Sequence, residues 1–438
     1  NRSFRYSPLF LNGIVFVCGF AVMIVELLGT RVIAPFYGAS LYVWSALISV
    51  TLVSLSIGYY FGGRLADRMA GNLLPASIAI AGVFVLIVPV LSGWILPLTD
   101  VFGIRLGSFM SAMVLFFPCL TLLGTICPQV IKLDALDFNV IGSSSGRIYS
   151  ISTVGSLAGT LAVGFVLFPN FGSREIFIGL GLVLAVLGLF LQLISRPRYT
   201  SPFVVVIAVF GLLLGADIGT GPNTDAHGYH RVSSEETLYG WVRVLENPER
   251  DIRVLASDAS IIGASTLSTG KSLLNYQRLV TLLPEFVPNI HRVLLVGQGA
   301  GHMAMKLKAD YGITTDAIEL DPSVNEAAET YFGYRPSGKS VVADGRSELR
   351  KMQGPYDLVI HDCFTGGTDP SHLLTVETFS LMRSLMTPDG LLALNTVSFY
   401  NDGSDPALSA IVKTVDAVFP FHKVYAGDVG HDFNDYVV

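Results

Sequence analysis

Seven predominantly apolar runs fill the first 220 residues, near 9–30, 42–62, 73–96, 108–131, 148–168, 176–195 and 202–219. Each approaches the roughly 20 residues that a helix needs to cross a bilayer. A backbone in lipid has no water to bond, so such runs predict helices packed on one another rather than open sheets. The first run is too long, and followed by too many others, to be a cleaved signal peptide. Gly58, Gly62, Gly155, Gly159 and Gly164 lie inside the runs and suit close helix approach. Pro118 and Pro128 predict a kink in the fourth run. Residues 1–220 therefore read as an α-helical multi-pass bundle of a plasma (inner) membrane, with lipid and a second copy of the chain as candidate partners.

Charge divides the chain at the same place. Residues 1–220 hold 11 Lys and Arg against 7 Asp and Glu, whereas the remainder holds 17 against 27. An acidic second half argues against nucleic acid as a partner, since phosphate binding wants a basic face. Arg2, Arg5, Arg64, Arg68, Lys132, Arg147, Arg196 and Arg198 gather at the N-terminus and alternate loops, leaving Arg31, Arg105 and Arg174 opposite. Positive-inside logic then puts the N-terminus in the cytoplasm, and seven spans put the second half outside. Glu26 lies within the first run with Arg31 about a turn beyond, an intramembrane pair that is a functional candidate. The ordinary alternative is a structural ion pair. Cys18, Cys119, Cys127 and Cys363 show no metal spacing, so neither metal nor a disulfide framework is expected.

Residues 221–235 are polar and read as a linker, and 236–438 as a second domain. Alternation at 239–246 and 252–262 predicts a small N-terminal β segment. Strands Arg292–Val296, Thr315–Leu320, Ser340–Ala343, Tyr356–His361 and Gly390–Val397 then alternate with helices His302–Asp310, Pro322–Phe332, Leu373–Met386 and Pro406–Phe419. That alternation predicts an α/β Rossmann-like sheet, mainly parallel, with ligands at the carboxyl ends of its strands. The chemistry gathers there. Gly297, Gln298, Gly299 and Gly301 form a glycine loop between a buried strand and a helix. Glu319 ends the next strand, where a carboxylate accepts ribose hydroxyls. Asp344 and Gly345 follow the third strand, and Asp362 ends the fourth. Each acid alone reads equally well as a solvated loop residue or a cap.

These stretches resemble the spermidine synthase (aminopropyltransferase) family and its membrane-fused relatives. The resemblance runs through Tyr239-Gly-Trp-Val-Arg-Val244, Tyr276-Gln277, the glycine loop, Ile318-Glu-Leu-Asp321, Ala343-Asp-Gly345, Ile360-His-Asp362, Pro370-Ser-His-Leu-Leu-Thr375 and Pro388-Asp-Gly390. Glu26-Leu-Leu-Gly-Thr-Arg31 and Gly62-Gly-Arg-Leu-Ala-Asp-Arg68 continue it into the first half. It implies a methyltransferase-type fold binding S-adenosylmethionine, or its decarboxylated form, as substrate and without metal. It implies that Gly297, Gly299 and Gly301 approach the nucleoside, Glu319 holds ribose, Asp344 holds adenine, and Asp362 is the catalytic aspartate that helps deprotonate and orient the attacking amine. Tyr276 and Gln277 would join the binding set, with Tyr239 and His372 as outer candidates. Supply of that sulfonium inside the cell places the domain in the cytoplasm, against the charge pattern.

The departures matter as much. Ser272, Ala300 and Thr365 stand where the family's ammonium-binding aspartates are expected, and Arg278 where a glutamate is expected. A cation leaving water needs paired carboxylates. Lost acids suit intact S-adenosylmethionine, whose own carboxylate Arg278 or Lys271 would attract. The expectation is acceptor-free cleavage to 5′-methylthioadenosine and homoserine lactone. Aminopropyl transfer, methyl transfer and a non-catalytic transporter or sensor are the alternatives.

Overall fold

The computed structural model describes residues 6–38, 40–68, 73–134, 141–195, 228–364, 370–399, 405–428 and 433–438. Two compact units result, Asn1–Pro222 and Asn223–Val438. The apolar run at 202–219 lies outside the described residues.

In the first unit the other six runs are helices long and apolar enough to cross a bilayer. They are α1 (Pro8–Tyr37), α2 (Leu41–Arg68), α3 (Leu74–Asp100), α4 with α5 (Gly103–Gly124, Ile126–Asp134), α6 with α7 (Ile141–Ala162, Phe168–Asn170, joined by a π-turn) and α8 (Ser173–Ser195). This set is compatible with a multi-pass membrane protein. Ser7 starts α1 by accepting the Phe10 amide, with Pro8 at the position whose missing N–H costs nothing. A Cβ on Gly155 or Gly159 would overlap the carbonyls of Phe16 or Phe20, so α6 meets α1 backbone to backbone. Gly164 faces open space instead and has no such role. The break expected in the fourth run falls at Thr125, three residues before Pro128, because Pro128 offers no N–H to the Gly124 carbonyl. Glu26 is half-buried and bonded to Thr51 of α2, and the Arg31 guanidinium lies 4.7 Å over the Phe168 ring.

The second unit opens with an antiparallel sheet, β1 (His230–Glu236), β2 (Trp241–Asn247), β3 (Ile252–Ser257) and β4 (Ser260–Thr266). β1 corrects the linker reading of 221–235. Its Ser-Ser-Glu-Glu run carries no alternation because it is an exposed edge strand with nothing to bury. The larger sheet has the order β10-β11-β9-β8-β5-β6-β7. Its strands are β5 (Arg292–Val296), β6 (Thr314–Glu319), β7 (Ser340–Val342), β8 (Tyr356–His361), β9 (Met386–Phe399), β10 (Tyr425–Ala426) and β11 (Phe433–Val437). β7 to β9 pair in parallel through β6, β5 and β8; β11 and β10 close the edge antiparallel. This is a Rossmann-like sheet of mixed type. Val293 and Leu295 belong to one apolar core and Leu294 and Val296 to another, as expected of a strand covered on both faces. The helix expected over Leu373–Met386 is shorter, Val376–Ser384, because Thr375 caps it and Met386 already pairs with Tyr356. The chain runs β5, β6, β7 outward and then returns to place β8 beside β5. That reversal is the switch point where such sheets open a crevice.

Candidate active site

The switch point brings Gly297 and Asp362 together. The Asp362 amide donates to the Val296 carbonyl at 2.8 Å, and a Cβ on Gly297 would overlap the Asp362 carbonyl. Gly297, Gly299 and Gly301 have φ of 87°, 53° and 76°, so each sits in the region that L side chains avoid. Gly299 also lies under the Ile262 carbonyl of β4, and Gly301 under the Tyr334 ring. The small sheet thus presses on the loop from one side. Gln298 is buried, and its side-chain oxygen accepts from Ser340 at 3.3 Å.

Glu319 is buried at the end of β6 and accepts four backbone N–H groups, from Gln298, Gly299, Leu320 and Asp321. Burial raises its pKa, and the hydrogen bonds from Asp321, Gly299 and Leu320 oppose that rise. Asp344 caps helix Gly345–Leu349 by accepting the Ser347 amide at 2.8 Å. His372 stands 3.5 Å from the same carboxylate, so the structure joins two predicted residues from separate segments. Gly345 packs beside Val296 and Leu373, with little room for a side chain.

Asp362 is the convergence point. Tyr276 donates to Oδ2 at 2.9 Å, and Asn395 Nδ2 donates to Oδ1 at 2.9 Å. Gln277 donates to the Tyr276 hydroxyl at 3.2 Å, and Ser272 donates to Gln277 at 2.7 Å, which fixes the direction of the chain. Asp362, just past β8, is half-buried. Loss of water pushes its pKa up to about 7, although both hydrogen bonds pull the other way. Burial likewise raises Tyr276 well above the phenol range, so it remains a donor. His361 is buried edge-on against Phe379, 6.4 Å between centroids, and burial lowers it to about 4.

No family model matches the chain. An N-terminal histidine N-methyltransferase of Emericella nidulans is 24% identical over 420 residues, covering 86% of this chain and 72% of that protein. Polyamine aminopropyltransferase 1 of Streptomyces coelicolor is 24% identical over 421 residues, covering 88% and 75%. Polyamine aminopropyltransferase of Thermotoga neapolitana is 30% identical over 200 residues, 42% of this chain, which spans 63% of that relative, less than two thirds of its length. The second unit is spermidine synthase-like. It has a Rossmann-like α/β sheet with the glycine loop after its first parallel strand.

Within this spermidine synthase-like unit, two expected residues stand apart. Arg278 is exposed on helix Asn275–Thr281, while Tyr276, Gln277 and Val280 are buried. At about 100° per residue, Arg278 cannot share the Tyr276 face. Tyr239 is exposed at the β1–β2 turn. Thr365 lies outside the described residues. Two further residues were not foreseen. Asn395 of β9 and Asp435 of β11 join the centre, Asn395 Nδ2 donating to Asp435 Oδ1 at 3.4 Å as well as to Asp362. The signal was a polar Asn inside the apolar run Leu391-Leu-Ala-Leu-Asn395, and an Asp inside a strand-like Phe433-Asn-Asp-Tyr-Val437.

Proposed function

We propose that the second unit transfers an aminoalkyl chain from a decarboxylated S-adenosylmethionine-type sulfonium to an amine, releasing 5′-methylthioadenosine. The observation that carries this reading is Asp362, a carboxyl with a pKa near 7, held by Tyr276 and Asn395 one backbone contact from the glycine loop. A base of that strength is matched to a proton leaving near neutral pH. Ionised Asp362 takes a proton from the acceptor ammonium. The freed nitrogen lone pair attacks the chain carbon bonded to sulfur, that C–S bond breaks, and its electron pair stays on sulfur. Gly297, Gln298, Gly299 and Gly301 approach the nucleoside, Glu319 holds the ribose, and Asp344, Gly345 and His372 border the adenine. Tyr276 and Gln277 orient the base.

Charge supports the decarboxylated donor. Glu319, Asp362 and Asp435 are all acidic, and Arg278 is turned to solvent, so among the described residues an α-carboxylate has no cation to meet there. Asp435 supplies an acid that the sequence reading did not count, and this weakens acceptor-free lactone formation. Methyl transfer is a second reading, favoured by the alignment of the fungal histidine N-methyltransferase across both units. The test incubates full-length protein in detergent with each donor, with and without butane-1,4-diamine, and separates the nucleosides. Amine-dependent methylthioadenosine from decarboxylated donor is expected. S-adenosylhomocysteine would establish methyl transfer, and amine-independent methylthioadenosine from intact donor would establish cleavage.

A further inference from the structure

Asp362 and Asp435 hang on one neutral amide. Asn395 Nδ2 donates to both, and among the described residues no Lys, Arg or His pairs with either. Two carboxylates brought together without a counter-cation repel each other unless something positive joins them. Asn395 is 2% exposed, and its Oδ1 has no hydrogen-bond partner among the described residues. A buried acceptor without a donor carries the same demand as the two acids. One chemical group satisfies all three, a primary ammonium, whose three N–H groups point in different directions.

A side chain at position 427, a glycine, would press on this cluster. A Cβ there would sit 3.3 Å from the Asp435 Cβ and 3.4 Å from the Tyr276 Cβ, between the two residues that flank Asp362. Outward of it, the exposed Asp428 accepts from Asn275 at 3.2 Å. The approach is acidic on its outer side too.

We propose that Asp435 is the specificity-determining residue of this site, selecting a positively charged primary amine as acceptor through a carboxylate supplied by β11. The family resemblance puts such acids at the positions of Ser272, Ala300 and Arg278. Here Ser272 is engaged with Gln277, Ala300 packs on the small sheet, and Arg278 faces solvent. Charge recognition has moved from those segments to the antiparallel edge of the sheet. This assignment rests on the transferase reading above.

The ammonium that Asp435 holds belongs to the acceptor rather than to the donor's own amino group, and the test separates the two. Full-length protein in detergent, saturated with methylthioadenosine, is titrated calorimetrically with butane-1,4-diamine. Asp435→Asn should weaken the diamine about tenfold or more while methylthioadenosine binds as before, and Asp435→Glu should restore part of the loss. Gly427→Val, whose side chain would press on the Asp435 backbone and Cβ, should weaken the diamine in the same way. Diamine affinity within about twofold of wild type in both Asp435→Asn and Gly427→Val would overturn the assignment. So would a selective loss of S-adenosylmethionine relative to methylthioadenosine in Asp435→Asn, which would give Asp435 to the donor. If methylthioadenosine does not bind the wild-type protein, the transferase reading itself falls and this assignment with it.

Discussion

Glycine serves opposite ends in the two units. Gly155 and Gly159 are helical, and their missing side chains let α6 lie against the backbone of α1. Gly297, Gly299 and Gly301 are not helical at all; their positive φ values shape a loop. Polar side chains divide less sharply, since Glu26 bonds Thr51 and Tyr37 bonds Thr99 across helices of the first unit, while others stay local. In the first unit Ser54 returns its hydroxyl to the Val50 carbonyl at 2.6 Å and Ser108 to Ile104 at 2.6 Å, each within its own helix. In the second, Tyr276, Asn395 and, through Asn395, Asp435 leave their own elements to meet at Asp362. Large apolar side chains such as Leu98 and Phe165 are 67% and 78% exposed in the first unit, as suits a lipid-facing surface. The contrast teaches that one residue type answers to its surroundings: closeness between helices in one unit, convergence on a reacting group in the other.

The largest expected effect concerns convergence. Asp362→Asn should lower transfer about 10³-fold, with donor affinity measured by calorimetry nearly unchanged. Next comes a pair of glycine variants that sets the two units against each other. Gly297→Ala should cost about tenfold or more in sulfonium binding, since a side chain there meets both strain and the Asp362 backbone. Gly155→Ala meets only the Phe16 backbone, so it should lower the thermal stability of the protein in detergent and leave sulfonium binding alone. A loss of binding in Gly155→Ala would break the comparison.

Tyr276→Phe is expected to act more mildly. It removes a hydrogen bond that favours ionised Asp362, so the midpoint of the pH–rate profile should move up from about 7, with about a tenfold loss at pH 7. The smallest effect belongs to Arg278→Ala, exposed and remote from the acids, which should change turnover less than about twofold. A large loss there would return a carboxylate-bearing donor to consideration.

Much of this was legible in the sequence because it is local. Six of the seven apolar runs are helices, and Gly297, Glu319, Asp344 and Asp362 stand at or just past the ends of their strands, as the alternation of elements implied. What escaped depends on pairing between distant segments. Asn395 reaches Asp362 because β9 lies beside β8, and Asp435 reaches Asn395 because β11 folds back antiparallel with Asp435 opposite Val397. No local pattern encodes that register. Arg278 misled for a related reason: adjacency to Tyr276 and Gln277 in sequence says nothing about which side of a short helix each takes. β1 was missed because an exposed edge strand needs no apolar face.

Asp362 is the group proposed to take the acceptor's proton, and the pH dependence of kcat at saturating donor and amine tests that role most directly. kcat reports groups in the bound complex. The wild-type rate should climb through a single ionisation at or below about 7, since the bound cations favour ionised Asp362, and level off above it, because protonated Asp362 cannot accept the proton. Asp362→Asn should be slow and lack that step. A variant that keeps the wild-type step, at any overall rate, would contradict the role given to Asp362.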